Sequence, residues 1–380
     1  MSSPNPSRAR ISIIGAGPGG LTCARILQQH GITVTVHDRD SGPDSRDQGG
    51  TLDLHADNGQ IALRAAGLLD EFFALARPEG QEMRRLDPTG TILSRQVPAP
   101  DEMFKPEIDR GQLRELLLDS LAPGTVRWGR ALERVSGPAE GPRRLHFADG
   151  TVVETDLVVG ADGAFSRVRP AVSPATPEYS GVSFQEAWFD DVDNRHPEIA
   201  ELVGLGGAHA ADGDRGMFAQ RNGGNHIRVY LIQRVPADWI RASGLMPQDT
   251  DGIRSLLLER FAHWSPLMRR MITDNDGPYV SRPILALPVP HTWEHNATVT
   301  LLGDAAHLMP PLGVGVNLAM LDAAELALAL AGAATVDDAI HVYEKTMLPR
   351  STGTAQILEG GAEQLLDLET PDFGDDDPQE

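Results

Sequence analysis

The chain has 380 residues, 41% of them hydrophobic and 23% charged, with a formal net charge of −21. That length exceeds one compact core and implies two lobes. The acidity disfavours nucleic acids and anionic membrane surfaces as partners, since both require clustered Lys and Arg. The single cysteine, Cys23, excludes an intramolecular disulfide and any metal site built from cysteines, and no metal is expected. No apolar run approaches the ~18 uninterrupted residues of a spanning helix, so a cytoplasmic protein without a membrane partner is the expectation.

In chain order, Ile11 to Ile14 reads as a short strand, followed by a glycine turn and a helical pattern from Leu21 to His30. Gly31 ends that helix, and Thr33 to Val36 is a second strand. A strand–helix–strand unit of this kind argues for a parallel sheet. Ile61 to Ala76 and Gly111 to Leu121 are helix candidates. Arg84 to Val97 reads as a hairpin around Asp87-Pro88-Thr89-Gly90, and Arg143 to Glu154 as one turning at Asp149-Gly150. Leu157 to Val159 is a buried strand entering Gly160-Ala161-Asp162-Gly163. From Tyr179 to Ile284 the pattern is richer in strand, with loops of Gly and Asn and one helix, Ile253 to Phe261. Thr298 to Leu302 returns to a buried strand, helices follow over Val316 to Leu330 and Val336 to Leu368, and Gly374 to Glu380 is acidic.

Three motifs carry chemistry. Gly15-Ala16-Gly17-Pro18-Gly19-Gly20 lies between a strand and a helix. In such a turn the first glycine permits the bend, the second lets backbone approach a pyrophosphate, and the third lets helix and strand pack. The pyrophosphate meets the free amides and dipole of the helix N-terminus. Asp38 ends the second strand, where its carboxylate can take both hydroxyls of a ribose. Far downstream, Leu301-Leu302-Gly303-Asp304-Ala305-Ala306-His307 runs a strand into an aspartate, and Pro310, Pro311, Gly313, Gly315 and Asn317 form a second glycine turn before a helix. Between them stands Asp162-Gly163 with Ser166, Arg167 and Arg169. Singly, Asp304 reads as a helix cap and Asp162-Gly163 as a turn. His307 shows no evident charged partner in the sequence and is read as structural.

In this order and spacing the three motifs resemble the single-component flavoprotein aromatic hydroxylases of the para-hydroxybenzoate hydroxylase fold, over Ile11 to about Ala334. Gly49 to His55, Glu107 to Arg110 and Gly303 to Pro311 are similar, more narrowly, to the tetracycline monooxygenases of that family. The resemblance implies an α/β protein: a Rossmann-like FAD-binding domain, a mixed β-sheet substrate domain and a C-terminal helix. The expected boundaries are 1–78, 100–175 and 285–334 for the FAD domain, 79–99 and 176–284 for the substrate domain, 335–370 for the helix and 371–380 for an acidic tail.

It also implies FAD as cofactor, NADPH as co-substrate, a small aromatic substrate, a monomer, and chemistry carried by the flavin with no catalytic side chain. NAD(P)H would dock transiently, reduce FAD and leave, and the reduced flavin would activate dioxygen to hydroxylate an electron-rich phenol or enol. A polycyclic substrate such as tetracycline, and hence antibiotic resistance, is the narrower implication. Gly15, Gly17, Gly20, Asp38, Arg39, Asp53, Arg110, Asp162, Asp304, Gly315 and Asn317 would form the cofactor site, with Arg46 beside the entering NADPH. Gln185, Phe218, Arg228 and Pro311 would line the substrate site. The sequence departs from those enzymes at the flavin loop, Pro311 to Asn317, which is shorter by one residue, and in the substrate half, where Gly207 stands in place of an arginine, His209 of a methionine, Arg228 of a histidine and Leu312 of a phenylalanine. A flavin halogenase is disfavoured, because no two tryptophans fall two apart. A non-oxygenating flavin oxidoreductase and a non-catalytic binder stay open.

Overall fold

A computed structural model describes residues 3–358 and Leu366. The chain forms two compact units. The first comprises residues 3–78, Asp101–Glu178 and Leu285–Gln356; the second comprises Glu79–Pro100 and Tyr179–Ile284, joined by Ile357, Leu358 and Leu366. The acidic segment Gly374 to Glu380 and the far end of the expected C-terminal helix lie outside the described residues.

The first unit is built on a five-stranded parallel sheet of β1 (Ile11–Ile14), β2 (Val34–His37), β3 (Val126–Arg127), β4 (Leu157–Gly160) and β5 (Val299–Leu301), ordered β5-β4-β1-β2-β3. β1 and β4 are buried at every position, as expected of strands covered on both faces. Helix α1 (Pro18–Gln29) follows β1, α2 (Arg110–Asp119) lies between β2 and β3 in sequence, and α3 (Asp304–His307), α4 (Gly315–Gly332) and α5 (Val336–Ile357) follow β5. Helix α4 is apolar and long enough to cross a membrane by length and composition. Here it packs on α1: a Cβ on Gly19 would stand 2.9 Å from the Ala319 carbonyl oxygen. The expected helix Ile61 to Ala76 is two, Gly59–Ala65 and Leu69–Leu75, because the chain turns at Gly67 with φ +64°.

The second unit holds a seven-stranded mixed sheet, in the order 280–286, 178–189, 226–234, 215–222, 207–212, 83–86, 92–96. Its 207–212 and 83–86 strands are parallel, and 215–222 is antiparallel to both of its neighbours. One face, carrying Ala187, Phe189, Val229, Leu231, Met217 and Ala219, forms a core with Ile199, Val203, Leu257, Phe261 and Met271 from the unit's helices.

Candidate functional site

Strand order brings together what the sequence separates. β5, β4, β1 and β2 are adjacent and parallel. Their carboxyl ends therefore carry Gly303-Asp304, Ala161-Asp162, Gly15 and Asp38 side by side, where ligands of open parallel sheets bind. Gly15 has φ +108°, and a Cβ there would stand 2.3 Å from the Ala161 carbonyl oxygen; one on Gly20 would stand 2.1 Å from the Gly15 oxygen. Gly17 differs, since a Cβ there would meet nothing within 4 Å. Gly17 is also the N-cap of α1, and no side chain caps that end. The helix opens onto free space with its first amides available to an anion.

Asp38 organises this turn. Its Oδ2 accepts a 2.6 Å hydrogen bond from the Ala16 amide and its Oδ1 one of 2.8 Å from the Asp40 amide. Arg114, which sequence reasoning passed over, sits almost wholly buried on α2. It donates to the Ala16 and Pro43 carbonyls and lies over Trp128. No motif marks it, because its shorter hydrogen bonds go to backbone oxygens and its contact with the Asp40 carboxylate, at 3.5 Å, is distant in sequence. Arg46 pairs with Asp40 at 3.1 Å. Arg39 is exposed and has no side-chain partner among the described residues. Arg110 begins α2, its amide donating to the Gly50 carbonyl.

Asp304 stands out by contrast with its neighbours. Leu302, Ala305, Ala306 and His307 are buried, whereas Asp304 is exposed and its carboxylate takes no hydrogen bond from the described residues. The glycine turn before α4 lies beside it: a Cβ on Gly315 would be 3.9 Å from Asp304 Oδ1, and one on Gly313 3.5 Å from Asp53 Oδ2. No side chain caps α4 at this end. Asp53 also pairs with His55 at 3.0 Å. Pro311 is exposed on the same loop.

Two expected cofactor residues turn inward. Asn317 Oδ1 accepts from the His55 and Gly59 amides, and its Nδ2 donates to the Asp53 and Gly313 carbonyls. All of its side-chain hydrogen bonds are thus spent on fastening the loop. Asp162 accepts from Ser166 Oγ and from the Arg167 and Val168 amides, while burial raises its carboxyl above the usual range. Arg169 donates to the carbonyls of Ala164, Asp304 and Ala305, which fixes the Asp162 turn to the Asp304 turn.

A buried carboxyl belongs to the same unit. Glu107 lies opposite Asp53 in a two-stranded pair and accepts from Thr51 Oγ1 at 2.5 Å. Burial and the Asp53 charge push it up to about 8.

In the second unit the pleat sorts the expected substrate residues. Directly opposed residues share a face, so Glu186, Tyr230, Phe218 and His209 lie in one row and Trp188, Arg228, Gln220 and Gly207 in the next. Phe218 stacks with Tyr230 at 6.2 Å, and the ring closes on Gly207, where a Cβ would stand 3.2 Å from Phe218 and 3.1 Å from the Met83 Cε. The Arg228 guanidinium lies 4.6 Å over Trp188, and Glu186 receives Arg282 at 2.8 Å. Gln185 does not join them. It faces the helix-covered side in register with Leu231, fully buried, and donates to Ser281 Oγ. Gln185, expected beside Phe218 and Arg228, thus lies on the opposite face from them, because one residue along a strand reverses the face, and Glu186 lies on theirs.

The arrangement of the first unit suits a dinucleotide with a polyol. The open Gly17 cradle accepts a pyrophosphate, the unspent Asp304 carboxylate accepts hydroxyl donors, and two uncapped helix ends point to negative charge. Comparison with known proteins agrees. The family described as FAD binding domain matches residues 8–261 and 285–356. Monooxygenase penA of Penicillium thymicola is 32% identical, covering 94% of this chain and 98% of its own. The 3-amino-4-hydroxybenzoate 2-monooxygenase of Streptomyces cremeus is 30% identical over 96% and 88%. Among solved structures, Klebsiella pneumoniae HpxO complexed with FAD and uric acid has a TM-score of 0.76 at 22% identity, covering 96% of this chain and 94% of its own. Tetracycline destructase Tet(51) has 0.71 at 18%, covering 97% and 93%.

Proposed function

The chain belongs to the FAD-binding-domain family of flavin-dependent aromatic monooxygenases, and on that premise we propose that it uses NADPH to hydroxylate an electron-rich phenolic or enolic ring, polycyclic compounds such as tetracycline included. The observation that carries this reading is the meeting of the Gly17 cradle, Asp38 and the unspent Asp304 carboxylate along one edge of the parallel sheet.

In this reading the α1 N-terminus holds the pyrophosphate, Asp38 the ribose hydroxyls and Asp304 the ribityl hydroxyls. Gly313 to Asn317 present backbone amides toward the ring, where the α4 N-terminus favours negative charge. Bound FAD supplies hydride acceptance from the nicotinamide and activation of dioxygen. The protein's own groups bind, orient and exclude water. Arg46 meets the entering NADPH. Phe218, Tyr230 and Trp188 offer aromatic surface to the substrate, and Arg228 with Glu186 offers polar contacts that fix its orientation.

The test is reconstitution with FAD, then NADPH oxidation in air with tetracycline and with 3-amino-4-hydroxybenzoate, and product mass under labelled dioxygen. A product heavier by one oxygen atom drawn from dioxygen supports the proposal, and the responsive compound sets the substrate class. Stimulated NADPH oxidation with no oxygenated product from any phenol or enol would falsify it in favour of a non-oxygenating oxidoreductase.

A further inference from the structure

Behind Asp304 lies a buried ionic chain that the motifs did not announce. Asp322, on α4, is fully buried. Its Oδ2 accepts the Gly303 amide at 3.0 Å and pairs with His307 Nε2 at 2.6 Å; its Oδ1 accepts Arg350 of α5 at 2.8 Å. Arg350 also pairs with Glu325. Thus one carboxylate grips both ends of the segment 303–307, and the one exposed side chain in that segment is Asp304. The sequence reading of His307 as a residue with no charged partner is corrected here, because its partner lies a helix away. Burial opposes a charged imidazole, but Asp322 outweighs it and raises His307 above its ordinary range. Burial likewise opposes a charged Asp322, yet His307 and Arg350 hold it below the usual carboxylate range. Both directions agree on an ionised pair.

We infer that Asp322 and His307 are positioning residues for the cofactor: together they clamp the 303–307 turn so that Asp304 presents its carboxylate to the ribityl hydroxyls of FAD. The inference rests on the proposed role of Asp304. The α4 helix then serves the site twice, through its N-terminal turn at Asn317 and, farther along, through Asp322. Arg350 extends the clamp to α5.

The experiment is a double-mutant cycle read as the FAD Kd of apoprotein, by quenching of flavin fluorescence, with apoprotein Tm measured alongside. His307→Asn is the working variant, with His307→Gln as a milder one whose longer amide keeps a donor near the position of the imidazole Nε2, because Asp322→Asn risks unfolding by removing the buried charge that faces both His307 and Arg350. His307→Asn is expected to raise Kd about tenfold, a change of about 1.4 kcal/mol. In an Asp304→Asn background the same change is expected to alter Kd less than about twofold. Equal effects in both backgrounds would mean that His307 acts on the fold at large, and would overturn the inference. Unchanged affinity in Asp304→Asn alone would overturn the role of Asp304 first, and this clamp with it.

Discussion

The Asp38 carboxylate accepts the amide of Ala16 at 2.6 Å, tying the end of the second strand to the middle of the glycine turn. One side chain thus shapes the loop proposed to receive a pyrophosphate and stands where the proposed site would place a ribose. Asp38→Asn keeps the size but turns one of the two oxygens that accept the Ala16 and Asp40 amides into a donor and removes the charge, and bonds to charged groups contribute about 1.5–3 kcal/mol. The expected outcome is an FAD Kd raised roughly 10- to 100-fold in a folded protein. Unchanged retention of FAD after gel filtration would remove Asp38 from the site.

The glycines of the turn separate structural from ligand demands. Gly20→Ala would drive a methyl group to 2.1 Å from the Gly15 oxygen, backbone that has nowhere to move. A destabilisation of about 3 kcal/mol or more is expected. Gly17→Ala meets nothing in the protein, so apoprotein Tm should shift by less than roughly 2 °C while FAD affinity falls at least about tenfold. Equal Tm losses in the two variants would contradict the open cradle.

Glu107 gives stability a defined pH dependence. Its folded value of about 8 exceeds its ordinary value of 4.5. Between those values the unfolded chain has lost a proton that the folded chain keeps, so stability falls as pH rises, by up to about 1.4 kcal/mol per pH unit, and levels off above about 8. Glu107→Gln, measured by denaturation from pH 5 to 9, should flatten that slope. An identical slope in the variant would show that Glu107 ionises freely.

The pleat of the second unit makes a paired prediction. Phe218→Ala should raise the KM of a turned-over aromatic substrate about tenfold, since it removes a stacked ring from the open row. Gln185→Ala should lower Tm while KM stays within about twofold, because Gln185 faces the unit's core. The opposite pattern would reverse the assignment of faces.

Cys23 offers a simple check on α1. Burial pushes its thiol up to about 12, and thiolate is the reactive form. Native protein should resist thiol reagents and react fully once unfolded.

The glycine turn, Asp38, the strand running into Asp304 and the existence of two units were legible because each rests on local pattern: a strand, a bend, a helix start. The supporting groups were not. Arg114 and Arg169 act on carbonyl oxygens distant in sequence, and Asp322 looks like any polar interruption of an apolar helix until the fold brings Gly303 and His307 against it. Gln185 shows the other limit: alternation gives two faces, but only the covering helices determine which is buried. The side chains of Asn317 and Asp162 were legible as motif members, yet their hydrogen bonds are spent on the loops that carry them.

The most direct measurement is the visible spectrum of the protein after incubation with FAD and removal of free flavin, followed by anaerobic addition of NADPH. One flavin per chain, bleached by NADPH and restored by air, is the predicted result. A chain that stays colourless at saturating FAD would contradict the account at its centre.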